Sequence, residues 1–375
     1  MSAIYIGVMT GTSMDGVDFV AASFHPLQIH GSLTLEFEPD LRNQLMALAL
    51  PGDNEIDQMG QADVALAKMI GHGINQLIEQ HQLDRSHIKA IGSHGQTIRH
   101  RPEHGFSLQI GDPHLITEIT QIPVVSDFRR RDLAAGGQGA PLVPAFHQDL
   151  FQHDQIDRVI LNLGGIANIS VLPAGKPNEV YGFDTGPANI LMDAWCHRHT
   201  GQAYDEDGRW AAYGQPIRPL LERLQAHEYF SKEPPKSTGR EDFNLDWLDR
   251  QISDWRNDLE YDELDDRPEN VQATLLKLTT RAIKKAIYRS PLETGEVYVC
   301  GGGAYNTHLL EQLRWRLRKH NWTVQSTQAL GISPTWVEAT AFAWLAMRCV
   351  EQQSGNLPAV TGASGFRVLG SVTVV

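Results

Sequence analysis

Twice along this chain an apolar strand runs through a bend of glycines and small polar residues straight into a second apolar strand. The first instance is IYIGVMTGTSMDGVDFVAASF at 4–24, and the second is RVILNLGGIANISVL at 158–172. Strands joined by so short a connection pair as antiparallel neighbours. An ordinary hairpin needs only two turn residues such as Asn-Gly, and the run Thr10, Gly11, Thr12 and Ser13 exceeds that need. A third bend, in EVYVCGGGAYN at 296–306, closes an apolar strand with three glycines. Each bend taken alone also has a structural reading, since glycine serves positive φ or close packing. Three bends after three apolar strands point instead to an anion, because glycine lets main-chain N–H groups approach one without a Cβ in the way. No GxxxxGK[ST] string is present and no GxGxxG lies between a strand and a helix, so a P-loop or a Rossmann dehydrogenase is poorly supported.

Around the bends, strands alternate with helices, as in an α/β protein. Residues 3–8 and 17–24 read as the antiparallel pair, and 88–93 as a strand. Helical apolar spacing marks 57–80, 187–198, 268–288, 307–319 and 333–350, where Pro334 suits a first turn. Within the last helix, Trp336, Phe342 and Trp344 at helical spacing read as core. AAGGQGAPLVP at 134–144 reads as a loop or hinge. The 375 residues suit two domains, here a lobe at 1–145 with the first bend and a lobe at 146–375 with the other two. The acid-rich run from Asp258 to Glu269 reads as a solvated surface entering a helix start.

The net charge of −13 opposes non-specific nucleic-acid binding, while allowing a local basic pocket for a small anion. Cys196, Cys300 and Cys349 are scattered, which argues against a disulfide framework or a zinc site. With no signal-peptide pattern and no apolar run of ~20 residues, a cytoplasmic protein is expected.

The strings GVMTGTSMDGVD (7–18), GSHGQT (92–97), SDFRRRDLAAGGQGAPLVP (126–144), LNLGGIANIS (161–170), GFDTGPAN (182–189), VCGGGAYN (299–306) and VEATAFAWLA (337–346) span nearly the whole chain. Together they resemble the motifs of the anhydro-N-acetylmuramic acid kinase family, a branch of the ATP-binding superfamily that includes actin, hexokinase and the heat-shock chaperone ATPases. The resemblance implies a two-domain actin-like (ribonuclease H-like) ATPase fold with an interdomain cleft. It also implies ATP and Mg²⁺ as cofactors. The first phosphate hairpin would be Gly11, Thr12, Ser13, Met14, Asp15, Gly16, Val17 and Asp18, and the second Gly164 and Gly165. Gly301, Gly302, Gly303 and Asn306 would form the adenosine loop. Met9 stands where many superfamily members carry Asp, so metal contact would be indirect or come from Asp15 or Asp18. No metal-ligand cluster is readable, which fits a Mg²⁺ that keeps its waters and binds mainly through phosphates.

The family uses ATP and water on 1,6-anhydro-N-acetylmuramic acid, a fragment of recycled peptidoglycan, and yields N-acetylmuramic acid 6-phosphate and ADP. O6 is tied to C1 in that sugar, so ring opening and phosphorylation have to be coupled. An inverting glycosidase pairs a carboxylate base with an acid for the departing oxygen. Here the γ-phosphoryl group can capture O6, so one base suffices. The resemblance places that base at Asp184; the residues alone equally allow Asp184 to cap the following helix. Arg129, Arg131, His94, Gln96 and Glu338 are candidates for the sugar's lactyl carboxylate and N-acetyl group, with at most one or two of Arg129, Arg130 and Arg131 turned inward. The expected partner is a small anhydro amino sugar, with no nucleic acid and no membrane, and a homodimer is allowed. A kinase of the same fold acting on a free hydroxyl is the competing enzyme reading. An ATP-switched binding module would need an appended peptide-binding domain.

Overall fold

The computed structural model describes residues 2–11, 14–234, 236–257 and 266–375. Thr12, Ser13 and most of the acid-rich run (258–265) lie outside the described residues. In chain order the described strands are β1 (Ile4–Thr10), β2 (Gly16–Ser23), β3 (Gln28–Glu36), β4 (Ile88–Ser93), β5 (Gln96–Arg101), β6 (Phe106–Ile110), β7 (Val124–Ser126), β8 (Arg158–Leu163), β9 (Ile166–Leu172), β10 (Tyr181–Pro187), β11 (Gly295–Cys300), β12 (Trp322–Ser326) and β13 (Ser371–Thr373).

Two compact units divide the chain: the residues up to Leu150 joined by Trp336–Val375, and Phe151–Thr335. The C-terminal segment, expected with the second lobe, therefore belongs to the first unit. Gly7 in β1 and Gly92 in β4 show why. A Cβ at Gly7 would overlap the Ala339 carbonyl oxygen, and one at Gly92 would overlap that of Phe342. The helix Val337–Val350 thus lies with its backbone on the first sheet, at a distance only glycine permits. Its buried Ala339, Ala343 and Ala346 supply the matching small face, while Phe342 and Trp344 are core residues as expected. Pro334 opens a separate 3-10 turn, Pro334–Trp336, rather than the helix itself.

In the first unit the sheet order is β13-β7-β4-β1-β2-β3. β1 pairs antiparallel with β2, from Tyr5 opposite Ala22 to Thr10 opposite Val17, and parallel with β4. Ile4, Tyr5, Ile6 and Val8 are all buried, as expected of a strand covered on both faces. The helix Glu55–Gln80 covers the sheet with a stripe of Ala62, Leu66, Ile70, Ile74 and Leu77, all fully buried. Each of the larger four contributes about 2 kcal/mol of apolar burial.

The second unit repeats this plan, with order β10-β9-β8-β11-β12. β8 pairs antiparallel with β9 across the Gly164–Gly165 bend and parallel with β11. The helix Pro268–Arg289 buries one long face, and its Thr279 hydroxyl donates to the Pro187 carbonyl at 2.9 Å. That bond ties the helix to the end of β10, the strand carrying Asp184. Among the described residues no helix is long and apolar enough to cross a membrane.

Candidate active site

In the second unit, the first question is whether Asp184 caps a helix. It does not. The next helix, Asn189–Thr200, has Ala188 at its N-cap and no side-chain cap. Asp184 instead sits within β10 at a bulge, where the register slips before Gly186. Gly186 has φ +142°, and a Cβ there would strike the Phe230 ring. A returning loop then grips Asp184 from four directions. Its Oδ2 accepts from the Ser237 hydroxyl at 2.9 Å and from the Thr238 N–H at 3.1 Å. Its N–H donates to the Lys236 carbonyl, and its own carbonyl accepts from the Tyr229 hydroxyl at 2.5 Å. One carboxylate oxygen is therefore anchored, while Oδ1 has no hydrogen bond among the described residues. Burial raises the carboxyl's proton affinity above the usual Asp range and Glu241 adds to it, against the lowering effect of the two Oδ2 hydrogen bonds. A half-buried carboxylate, rigidly held and made more basic, is equipped to take a proton from water.

The glycines of this unit separate into two kinds. Gly301 has φ +79°, and a Cβ would overlap the Asn162 side chain; at Gly303 it would lie 2.7 Å from the Leu163 Cβ. Both are required by the fold. Gly164, Gly165 and Gly302 are not: their φ is not positive, and a Cβ at any of them meets no atom closer than 3.5 Å. Three glycines where a Cβ would fit without a clash are not demanded by packing or by φ, which suits main chain left bare for a ligand. The Gly164 and Gly165 carbonyls accept from the N–H groups of Ala188, Asn189 and Ile190, which locks the bend to the next helix. Asn306 is occupied as the N-cap of the helix Thr307–Leu317, its Oδ1 accepting from the Leu309 N–H at 2.9 Å.

In the first unit, Gly11 and Met14 close the described part of the first bend by a Met14 N–H to Gly11 carbonyl bond of 3.2 Å. Met14 has φ +54° and a buried side chain. Val17 is likewise in the core, and a Cβ at Gly16 would overlap the Leu35 carbonyl. These positions offer only main chain to a ligand. Asp15 is exposed and paired with Arg42 at 2.9 Å. Asp18 is half-buried, accepts from the Thr34 hydroxyl at 2.6 Å, and is raised above the usual carboxylate range by burial.

The GSHGQT string forms the end of β4 and the start of β5. Buried His94 receives an Arg129 N–H at Nε2, 2.8 Å away. Arginine only donates, so this His94 nitrogen is the acceptor and the ring is neutral. Burial, then the Arg129 charge, hold its pKa well below the usual histidine range. The other ring nitrogen faces the main chain of Gly95 and Thr10, while the buried Ser93 Oγ and Gln96 Oε1 lack partners among the described residues. Buried polar atoms are nearly always paired, so two orphans flanking His94 mark a place suited to another molecule. Arg129 also donates to the Gly139 carbonyl at 2.8 Å, and burial pushes its guanidinium down to about 10, still charged at neutral pH. Glu338 feels both Arg129 and Asp18; burial, then the Asp18 charge, raise its pKa. The first unit thus brings Asp18, His94, Arg129 and Glu338 into one polar group, with Gln96 two residues along the chain from His94. Arg131, two residues on and on the opposite side of the helix, is exposed and outside it.

Among the described residues, no group of three or more His, Cys, Asp or Glu side chains could hold a metal ion. Ser237, Thr238, Tyr229 and Lys236, which hold Asp184, are not predicted from the sequence; the small hydroxyl-glycine string KSTG at 236–239 was the available signal.

Two α/β units whose sheets share one core strand order, each opening on a strand–bend–strand, have the two-domain fold of the actin and hexokinase class. A family model described as anhydro-N-acetylmuramic acid kinase matches residues 3–375. The chain is 82% identical to the anhydro-N-acetylmuramic acid kinase of Acinetobacter baylyi, over 100% of both chains. It is 49% identical to that of Shewanella pealeana, covering 98% of this chain and 97% of that one. The chain belongs to the anhydro-N-acetylmuramic acid kinase family and is a phosphotransferase.

Proposed function

We propose that the chain carries out, in peptidoglycan recycling, the reaction for which its family is named. With ATP and water it opens 1,6-anhydro-N-acetylmuramic acid and phosphorylates O6, giving N-acetylmuramic acid 6-phosphate and ADP. Asp184 takes a proton from water as the water oxygen bonds to C1. The C1–O6 bond breaks with inversion, and O6 takes the γ-phosphoryl group from ATP, releasing ADP. The observation that carries this reading is the Asp184 carboxylate, with one oxygen fixed by Ser237 and Thr238 and the other without a hydrogen bond among the described residues.

The uncrowded Gly164, Gly165 and Gly302 support nucleotide contact through main chain, as do the amides of the first bend. Arg129 has N–H groups beyond those spent on His94 and Gly139, and the unpartnered Gln96 Oε1 and Ser93 Oγ can meet a sugar's N-acetyl and hydroxyl groups. Arg129 is the cation best placed for the lactyl carboxylate. Asp18 and Glu338 are hard oxygen donors whose mutual repulsion a cation would relieve, which fits a Mg²⁺ needing only one or two carboxylates besides phosphates and water. When bound, Mg²⁺ would neutralise charge on the transferring phosphoryl group.

A panel assay of ADP release tests the reading. Turnover is expected with the anhydrosugar and not with N-acetylmuramic acid, whose 6-hydroxyl is free. Equal turnover with the free sugar would favour the competing kinase without ring opening.

A further inference from the structure

With none of the groups assigned above in its lining, a cavity of about 450 Å³ in the second unit is lined by Arg281, Lys284, Lys285, Arg316, Arg318 and Lys319, with Tyr288 and Trp315 among its remaining walls. Among the described residues no Asp or Glu lines it. In a chain of net charge −13, six convergent cations without a carboxylate are out of character. Among the described residues none of the six is ion-paired. Those that are held are held by neutral oxygens: Arg281 by Gln225 Oε1 at 3.0 Å, Arg316 by the Thr280 hydroxyl at 3.0 Å, and Lys285 by the Phe230 carbonyl at 2.8 Å. Their positions are fixed while their charge stays uncompensated. Burial and the Arg281 charge together hold Arg316 below its ordinary range. That repulsion is relieved by an anion, not by water.

The walls are as specific as the charge. Trp315 is 54% exposed. Arg316 and Arg318 lie against its ring at 5.6 and 5.7 Å. Lys284 lies 5.0 Å from the Tyr288 ring, whose hydroxyl is anchored on the Arg316 carbonyl at 3.0 Å. An exposed indole beside fixed cations suits a ring carried next to a phosphate. The volume falls within the range of small-molecule sites, about 300–1,000 Å³. It is a pocket for one molecule rather than a track for a polymer.

We propose that this cavity is a second ligand site, separate from the catalytic groups, for an organic phosphate of two or more negative charges whose ring stacks on Trp315. The phosphate sits among Lys284, Arg318 and Lys319, and the ring on the indole. A nucleotide and a sugar phosphate share this chemistry. The reaction proposed above would produce one of each, but the site stands on its own lining whatever the reaction.

Calorimetric titration of the full chain with AMP, N-acetylglucosamine 6-phosphate and inorganic pyrophosphate tests it. At least one of the two organic phosphates is expected to bind one per chain, at least tenfold more weakly in Lys284→Gln/Arg318→Gln, a variant whose turnover without added phosphate matches the parent. Which of the two binds more tightly identifies the source. Trp315→Ala is expected to weaken the organic ligand and leave pyrophosphate unchanged. If the double variant does not fold, the exposed Arg318 and Lys319 are replaced together by Gln in its place. The site is refuted if neither organic phosphate binds, if binding survives loss of the cations, or if Trp315→Ala has no effect. It is equally refuted if single-stranded oligonucleotides bind with affinity that rises with length, which would make the surface a polyanion track.

Discussion

Asp184→Asn separates the chemical role of this side chain from its place in the fold. The amide is nearly isosteric, and its carbonyl oxygen can keep the two hydrogen bonds that Oδ2 accepts from Ser237 and Thr238 at 2.9 and 3.1 Å. The amide N–H₂ then takes the Oδ1 position, which has no partner among the described residues to offend. The variant should fold with parental stability and bind nucleotide within about threefold, since Asp184 plays no part in the proposed phosphate contacts; the loss expected is the general-base term, at least ~100-fold in turnover. At 1.36 kcal/mol per decade this is about 2.7 kcal/mol of barrier. The pH profile gives a second reading. The proposed base works ionised, and burial raises its proton affinity. Parental activity should therefore rise with pH through a limb above the ordinary Asp value of about 3.9, and the variant should lack that limb. ADP release, nucleotide titration and thermal unfolding on the same preparation are sufficient. Parental turnover in a folded Asn variant would refute the reasoning.

Ser237→Ala removes one bond that favours the Asp184 carboxylate, so the acid limb should move to higher pH with turnover at alkaline pH little changed; an unmoved limb would remove Ser237 from the account. Gly302→Ala meets no atom closer than 4.0 Å, so unfolding should be unaffected while nucleotide affinity falls about tenfold, the scale of one lost contact of 1.4 kcal/mol; unchanged affinity would leave that surface unexplained. Gly7→Ala should do the reverse. Its Cβ overlaps the Ala339 carbonyl, a backbone atom that cannot step aside, and the cost should reach about 1–3 kcal/mol or more in urea unfolding. A parental midpoint would contradict the helix-on-sheet contact.

Local chemistry was legible in the sequence. Both strand–bend–strand units pair neighbours in the chain, so apolar runs and glycines sufficed to read them, and the boundaries of the long helices follow from their apolar spacing. What escaped reading depends on distant returns. The first unit reclaims the C-terminal helix because Gly7 and Gly92 accept its backbone. The signals, mid-strand glycines and alanines four apart, gain meaning only when brought together. The loop that grips Asp184 lies some fifty residues beyond it, inside the long insertion between β10 and β11, and no local pattern links the two. Among the three arginines at 129–131, helical phase decides that Arg129 turns inward to His94 and Arg131 outward. Likewise Asp15 and Asp18 are alike as letters, and only strand register leaves the first in solvent and the second beside Glu338.

The most direct test of the coupled ring opening is a reaction in ¹⁸O-labelled water, with sugar phosphate and ADP weighed before the free anomeric hydroxyl exchanges with solvent. One labelled oxygen in the sugar, at C1, and none in its phosphate is the predicted result. A sugar phosphate formed without label would mean that water does not open the ring, and would contradict the role given to Asp184.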